Sequence, residues 1–118
     1  MRRLNAETLQ WIGLMAAPLA WTVQLVAGFG VTLAACEGSR DLSLVAWETG
    51  LTVAAAAVAI AGQVAAVAAW RATRRAEAPP AGRIHFFADA ALLSNTVFIV
   101  MILLGGITAA HIGECRQA

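Results

Sequence analysis

The chain has no lysine and no tyrosine, only two cysteines and three prolines, and just 13% of its 118 residues are charged. A soluble domain typically carries about 25% charged residues. So sparse a polar complement cannot coat a water-soluble globule. The cations are eight arginines against seven acids, for a net charge of +1, which excludes the basic footprint of a nucleic-acid binder. Enzyme signatures are missing as well. The sequence holds no Gly-rich phosphate loop, CxxC, HExxH or CxxCH, and no spacing suggests a nucleophile with its base. These absences point to a non-enzymatic membrane chain.

What is present is long apolar sequence: 60% of residues are hydrophobic and the mean hydropathy is +0.74. Charge-free windows of 29, 22 and 24 residues lie between Glu7 and Glu37, Glu48 and Arg71, and Asp89 and Glu114. A membrane helix needs roughly 20 apolar residues, so each window holds one span, near 9–35, 45–70 and 86–112. A membrane β-barrel needs at least eight short alternating segments, and these runs are continuous. The fold expected is a single all-α domain over 1–118, an integral membrane bundle of three helices.

Arginine placement orients the bundle. Arg2, Arg3, Arg71, Arg74, Arg75 and Arg83 fall on one side, and only Arg40 and Arg116 on the other. The side richer in arginine faces the cytoplasm, which puts the N-terminus inside and the C-terminus in the periplasm of a bacterial inner membrane. Trp11, Trp70, Phe86 and Phe87 then sit at the cytoplasmic interface and Trp47 at the other. Trp21 falls mid-span and needs a packing or functional reason.

Small residues suggest how the helices meet. From Ala54 to Ala69 the second span holds ten alanines and one glycine. Ala57, Ala61, Ala65 and Ala69 recur every four residues, while Gly62 and Ala66 repeat the spacing on a neighbouring face. The first span offers Gly13, Ala17, Ala20, Gln24 and Gly28. Such faces gain from close backbone approach, and three helices hold more of them than they can use. The surplus points to docking into a larger assembly of membrane subunits, with lipids around it. A genome biased toward alanine and arginine is the plain alternative.

Gln24, Gln63, Ser94 and Asn95 are expected to bond across helices, and Asp89 and Glu48, near opposite surfaces, to snorkel outward or pair with arginines. No charged residue sits at mid-depth, which speaks against a proton-coupled pump. His85 and His111 are 26 residues apart, about 39 Å along a helix, so the pair cannot ligate one haem. His111, Cys115 and Cys36 are a conceivable metal set, with a spacing that is common by chance.

Cys36 follows the first span and Cys115 the third, and these spans run in the same direction. Both thiols therefore emerge on the oxidising side and read best as a disulfide. The rival reading takes Leu33-Ala34-Ala35-Cys36 as a lipoprotein cleavage site. Against it, the uncharged stretch is about twice the 7–15 residues of a signal h-region.

Ala17-Pro18-Leu19-Ala20-Trp21 followed by Gln24-Leu25, then Ala35-Cys36 and Gly113-x-Cys115, resembles a group of small three-helix bacterial membrane proteins associated with respiratory complexes of haem–copper terminal oxidases. The resemblance implies a non-catalytic accessory subunit seated against a cytochrome c oxidase core. It gives structural roles to Pro18, Trp21 and both cysteines, no cofactor to this chain, and haem and copper to partner subunits. The chain departs from the group at Phe29-Gly30, where an aromatic such as tyrosine is expected.

Two other classes stay open: a small transporter or channel-forming homo-oligomer, and a haem- or quinone-site anchor. Small multidrug exporters carry a membrane glutamate in their first span, and this first span has no acid. The orientation supports the disulfide too, so one experiment tests both. A topology reporter fused after Ala118 is expected to be active only in its periplasmic form. Activity of a cytoplasmic reporter there reverses the topology and removes the oxidising environment the cysteine pair needs.

Overall fold

The computed structural model describes residues 5–37, 43–75 and 81–111, and all three segments are helical: α1 (Ala6–Glu37), α2 (Leu44–Thr73) and α3 (Ala81–His111). Each helix is long and apolar enough to cross a membrane. They overrun the spans expected at 9–35, 45–70 and 86–112 because a charge ends an apolar window without ending a helix. Arg71 and Thr73 extend α2, and Arg83 and His85 lie inside α3. Ser43 caps α2, its hydroxyl accepting from the Ala46 N–H at 3.4 Å, a standard N-terminal solution for helical donors.

Most threonine hydroxyls of the helices bond to a carbonyl one turn earlier, as lipid favours. The outward hydroxyls of Thr22, Thr96 and Thr108 donate to the carbonyls of Pro18, Leu92 and Leu104 at 2.8–2.9 Å. Pro18 lies inside α1, which continues through it. Its missing N–H leaves one ladder bond unmade.

The bundle is small-residue inside and large-residue outside. Buried apolar side chains are mostly alanine: Ala17, Ala20, Ala55, Ala59, Ala66, Ala69, Ala88 and Ala91 among them. Leu19, Val26, Phe29, Val53, Val64, Leu93 and Leu104 all face outward. Lipid tails are as apolar as leucine, so turning a leucine inward gains nothing, and close van der Waals approach decides the packing. A Cβ on Gly13 would stand 2.9 Å from the Ala66 backbone nitrogen, and one on Gly62 would stand 2.7 Å from Ala16 Cβ. Trp21 has a packing reason for its depth: its ring lies 5.5 Å from Phe98, beside the core of Ala17, Ala20, Ala55, Ala59 and Ile102.

The buried line on each helix alternates steps of three and four. On α1 it runs Gln10, Gly13, Ala17, Ala20, Gln24, and on α2 Ala55, Ala59, Gly62, Ala66, Ala69, Thr73. On α3 Ile84, Ala88, Ala91 and Asn95 repeat it. A mean step of 3.5 residues keeps one seam facing its neighbours when helices wrap left-handedly. This spacing corrects the every-four ridge expected on α2. Ala65 and Ala69 are buried, but Ala57 and Ala61 face outward. Four residues turn a helix by about 400°, so a ridge of strict fours drifts about 40° per step and leaves the contact face.

The close approach at Gly13 generates a prediction. In Gly13→Ala the new methyl meets backbone, which cannot swing away, so α1 and α2 must separate. Overpacking of this kind lowers stability by about 1–3 kcal/mol. Gly30→Ala, with nothing within 4 Å of the added carbon, is the control and should be neutral. Denaturation in mixed detergent micelles reads both, and equal stability of the two variants refutes the contact.

Candidate functional site

Two buried amides tie the three helices together. Gln24 on α1 donates from Nε2 to Thr52 Oγ1 on α2 at 3.1 Å and to the Ile102 carbonyl on α3 at 3.2 Å. Thr52 in turn donates to the Glu48 carbonyl at 2.7 Å. Nearer the other end, the fully buried Asn95 of α3 donates from Nδ2 to the Gly13 carbonyl at 2.8 Å. Gln63 Oε1, Gln10 Oε1 and Asn95 Oδ1 are buried without a partner.

The Gln24 tie is followed one turn on by a second contact between α1 and α2. Gln24 and Gly28 lie one turn apart on α1, and Thr52 and Glu48 one turn apart on antiparallel α2. The two pairs therefore form successive rungs. In the upper rung the Glu48 carboxylate lies flat against Gly28: a Cβ there would stand 3.1 Å from Oε1 and 3.2 Å from Oε2. On α3 glycine packs against the same layer. A Cβ on Gly106 would stand 2.5 Å from Thr52 Oγ1, and one on Gly105 would have only Gln24 Nε2 within 4 Å, at 4.0 Å. Glu48 is only 8% exposed. Sequence reasoning sends it outward to snorkel or to meet an arginine; the structure turns it inward. Among the described residues no arginine is near it, the first along α2 being Arg71, 23 residues on and about 35 Å away by helical rise; Arg40, on the same side as Glu48, lies outside the described residues. The missed signal is the seam itself: Glu48, Thr52, Ala55 and Ala59 step by four, three and four.

A second polar cluster occupies the opposite end. His85 Nδ1 lies 3.2 Å from Thr73 Oγ1, and Nε2 lies 3.7 Å from Asp89 Oδ2. The order hydroxyl, imidazole, carboxylate is that of a hydrolase triad, but the chemistry differs. The Thr73 hydroxyl also lies 2.8 Å from the Ala69 carbonyl, an acceptor for its proton, and with that bond made its oxygen accepts from the ring. Asp89 thus pairs with His85 and not with Arg83. Trp70 packs 5.5 Å from the His85 ring, with the Arg74 guanidinium 6.0 Å from the Trp70 centroid. This cluster fastens α2 to α3 at the aromatic end, where Trp11 also stacks on Phe87 at 6.4 Å.

Of the residues singled out by sequence, Gly13, Ala17, Gln24, Gly28, Gly62, Ala65 and Ala66 are buried. Of the polar group expected to bond across helices, Gln24 and Asn95 do so. Cys115 lies outside the described residues, as does the side chain of His111. The disulfide and the histidine–cysteine metal set therefore stay at the level of expectation. Among the described residues no cysteine is free, and no three metal-ligating side chains converge. No family model, curated protein or solved structure matches the chain.

The three-helix tie predicts a measurable coupling. A double-mutant cycle over Gln24→Leu and Thr52→Val should give about 0.6–1.7 kcal/mol, the range of such bonds in membrane bundles. Gln24→Leu should cost more than Thr52→Val because it also strips the donor from the Ile102 carbonyl. Strictly additive losses would show that the two side chains do not meet.

Proposed function

We propose that the chain is a non-catalytic accessory subunit of a bacterial respiratory membrane complex, of the cytochrome c oxidase type. In this reading it sits in the inner membrane with its N-terminus cytoplasmic and its C-terminus periplasmic. A Cys36–Cys115 disulfide closes the periplasmic ends of α1 and α3, and haem and copper belong to partner subunits. One observation carries the reading. Gly50, Ala54, Ala57 and Ala61 form an outward line on α2 with steps of four, three and four. That is the spacing of the seams that join the three helices inside, here without a helix against it. A helix built only to face lipid has no use for glycine and alanine at these positions, whereas an incoming helix gains close contact from them. The composition and the sequence resemblance point the same way.

The second reading, a small transporter or channel-forming homo-oligomer, draws on Glu48, since inward ionisable groups in membrane helices mark ion or substrate paths. Purification of the tagged chain in mild detergent separates the two. Co-elution with haem–copper subunits is expected, and an Ala57→Leu, Ala61→Leu double variant should keep its helical fold while losing most of that partner yield. Elution as a homo-oligomer favours the second reading. Unchanged partner yield from the double variant removes the outward face from the interface.

A further inference from the structure

We infer that the arginine-rich end of the α2–α3 pair is a binding site for the headgroup of an anionic phospholipid. The inference goes beyond the accessory-subunit reading and depends neither on it nor on which leaflet this end faces. Depth is the first observation. Trp70 packs against His85 where α2 ends and α3 begins, and tryptophan rings anchor at the edge of the hydrocarbon. Arg71, Arg74 and Arg75 follow Trp70 by about 1.5–7.5 Å of helical rise. The headgroup layer adds about 5–7 Å on each side of a roughly 30 Å core. The three arginines, all exposed, thus leave the helix at the level of the lipid phosphates. Arg74 stays there, its guanidinium 6.0 Å from the Trp70 ring.

Charge is the second. Among the described residues no carboxylate pairs with Arg71, Arg74, Arg75 or Arg83, and Asp89 lies beside His85 at 3.7 Å instead. Arg2, Arg3 and Glu77 belong to the same end by sequence and lie outside the described residues. Counting them, Arg2, Arg3, Arg71, Arg74, Arg75 and Arg83 face only Glu7, Glu77 and Asp89. Cations remain in excess even with every acid spent on one.

Register is the third. Thr73 meets His85 at this end and Thr52 meets Gly106 at the other, which fixes how antiparallel α2 and α3 align. Arg75 stands as far beyond Thr73 as Arg83 stands before His85, so two helices bring an exposed arginine to one level. Packed helix axes lie about 8–10 Å apart. Like charges so placed repel, and a phosphodiester between them removes the repulsion by accepting from both. The planar guanidinium fork matches phosphate oxygens. A zwitterionic headgroup carries its own cation, which cancels the gain, so the site selects anionic lipid. Setting topology needs arginines on this side but does not need them level.

The test places the full chain in nanodiscs of phosphatidylcholine with graded phosphatidylglycerol and counts retained lipids by native mass spectrometry. Phosphatidylglycerol should be retained several-fold above its share of the disc, and the thermal midpoint should rise with that share. Arg75→Gln with Arg83→Gln should return retention to the bulk share. Arg40→Gln with Arg116→Gln, the same charge removed from the opposite side, should leave it unchanged. Arg75→Lys with Arg83→Lys keeps the charge that orients the chain but loses the fork, and should forfeit part of the excess. That pair keeps the proposal testable if the glutamine pair fails to insert, since an undiminished excess in it removes the bridge between two arginines. Wild-type retention at the bulk share overturns the site. So does an excess that survives in the glutamine pair, or one that falls equally in the Arg40, Arg116 variant. A midpoint raised as much by inorganic phosphate in purely zwitterionic discs overturns it too, because the ligand is then a soluble anion.

Discussion

In lipid a leucine side chain gains nothing by turning inward, so the distance at which helix backbones pass must hold this bundle together. Gly13 against Ala66 and Gly62 against Ala16 set that distance for α1 and α2. Once those backbones are close, everything near the seam has to be small, and the alanines at 17, 20, 55, 59, 66 and 69 follow. The large side chains have nowhere to go but outward. The inverted distribution of bulk is thus a consequence of close approach, and the same close approach lets short amides reach a backbone carbonyl on another helix.

Alanine seams are nearly featureless, and a helix could slide or rotate along one at little cost. The polar ties remove that freedom. Gln24 selects Thr52 and Ile102 together, and Asn95 selects Gly13. Thr73 with His85 fixes α2 against α3 at the aromatic end, and Thr52 against Gly106 fixes them again at the other. The intervals from Thr52 to Thr73 and from His85 to Gly106 are equal in residue count, so the two helices run in step between these points. Each interval spans about 32 Å by helical rise, close to the roughly 30 Å of a hydrocarbon core. Register is therefore pinned near both membrane surfaces and left to alanine in between.

The three helices, their order and the burial of the α1 small-residue face were legible in the sequence, because charge-free length and spacing act locally. The rotation of α2 was not. A ridge of strict fours and a seam of alternating threes and fours share Ala69, with Ala65 buried beside the seam, and diverge toward Ala57 and Ala61. Which one faces inward depends on how helices wrap, a property of the pair and not of either sequence. The same ambiguity hid Glu48. Taken alone, a carboxylate four residues from a helix start belongs in the interface. Placed in register with Thr52 and Ala55, and opposite a glycine, it belongs inside. Trp21 shows the converse, since its need for a partner was visible but the identity of Phe98 was not.

The two ends of the bundle end up chemically unlike, and this asymmetry bears on where function resides. At the arginine-rich end every polar group of the Thr73, His85 and Asp89 cluster has a neighbour, and Trp11, Trp70, Phe86 and Phe87 fill the space around it. Among the described residues there, the buried Gln10 Oε1 is left without a partner. At the other end Gly28, Gly105 and Gly106 withhold side chains beside the most buried carboxylate among the described residues. Two of these glycines are in close contact: Gly28 meets the Glu48 carboxylate and Gly106 meets the Thr52 side chain, so a methyl group at either place would push its neighbour aside. Glycine at these places is thus what lets the Glu48 and Thr52 side chains turn into the seam, as alanine elsewhere lets the backbones approach.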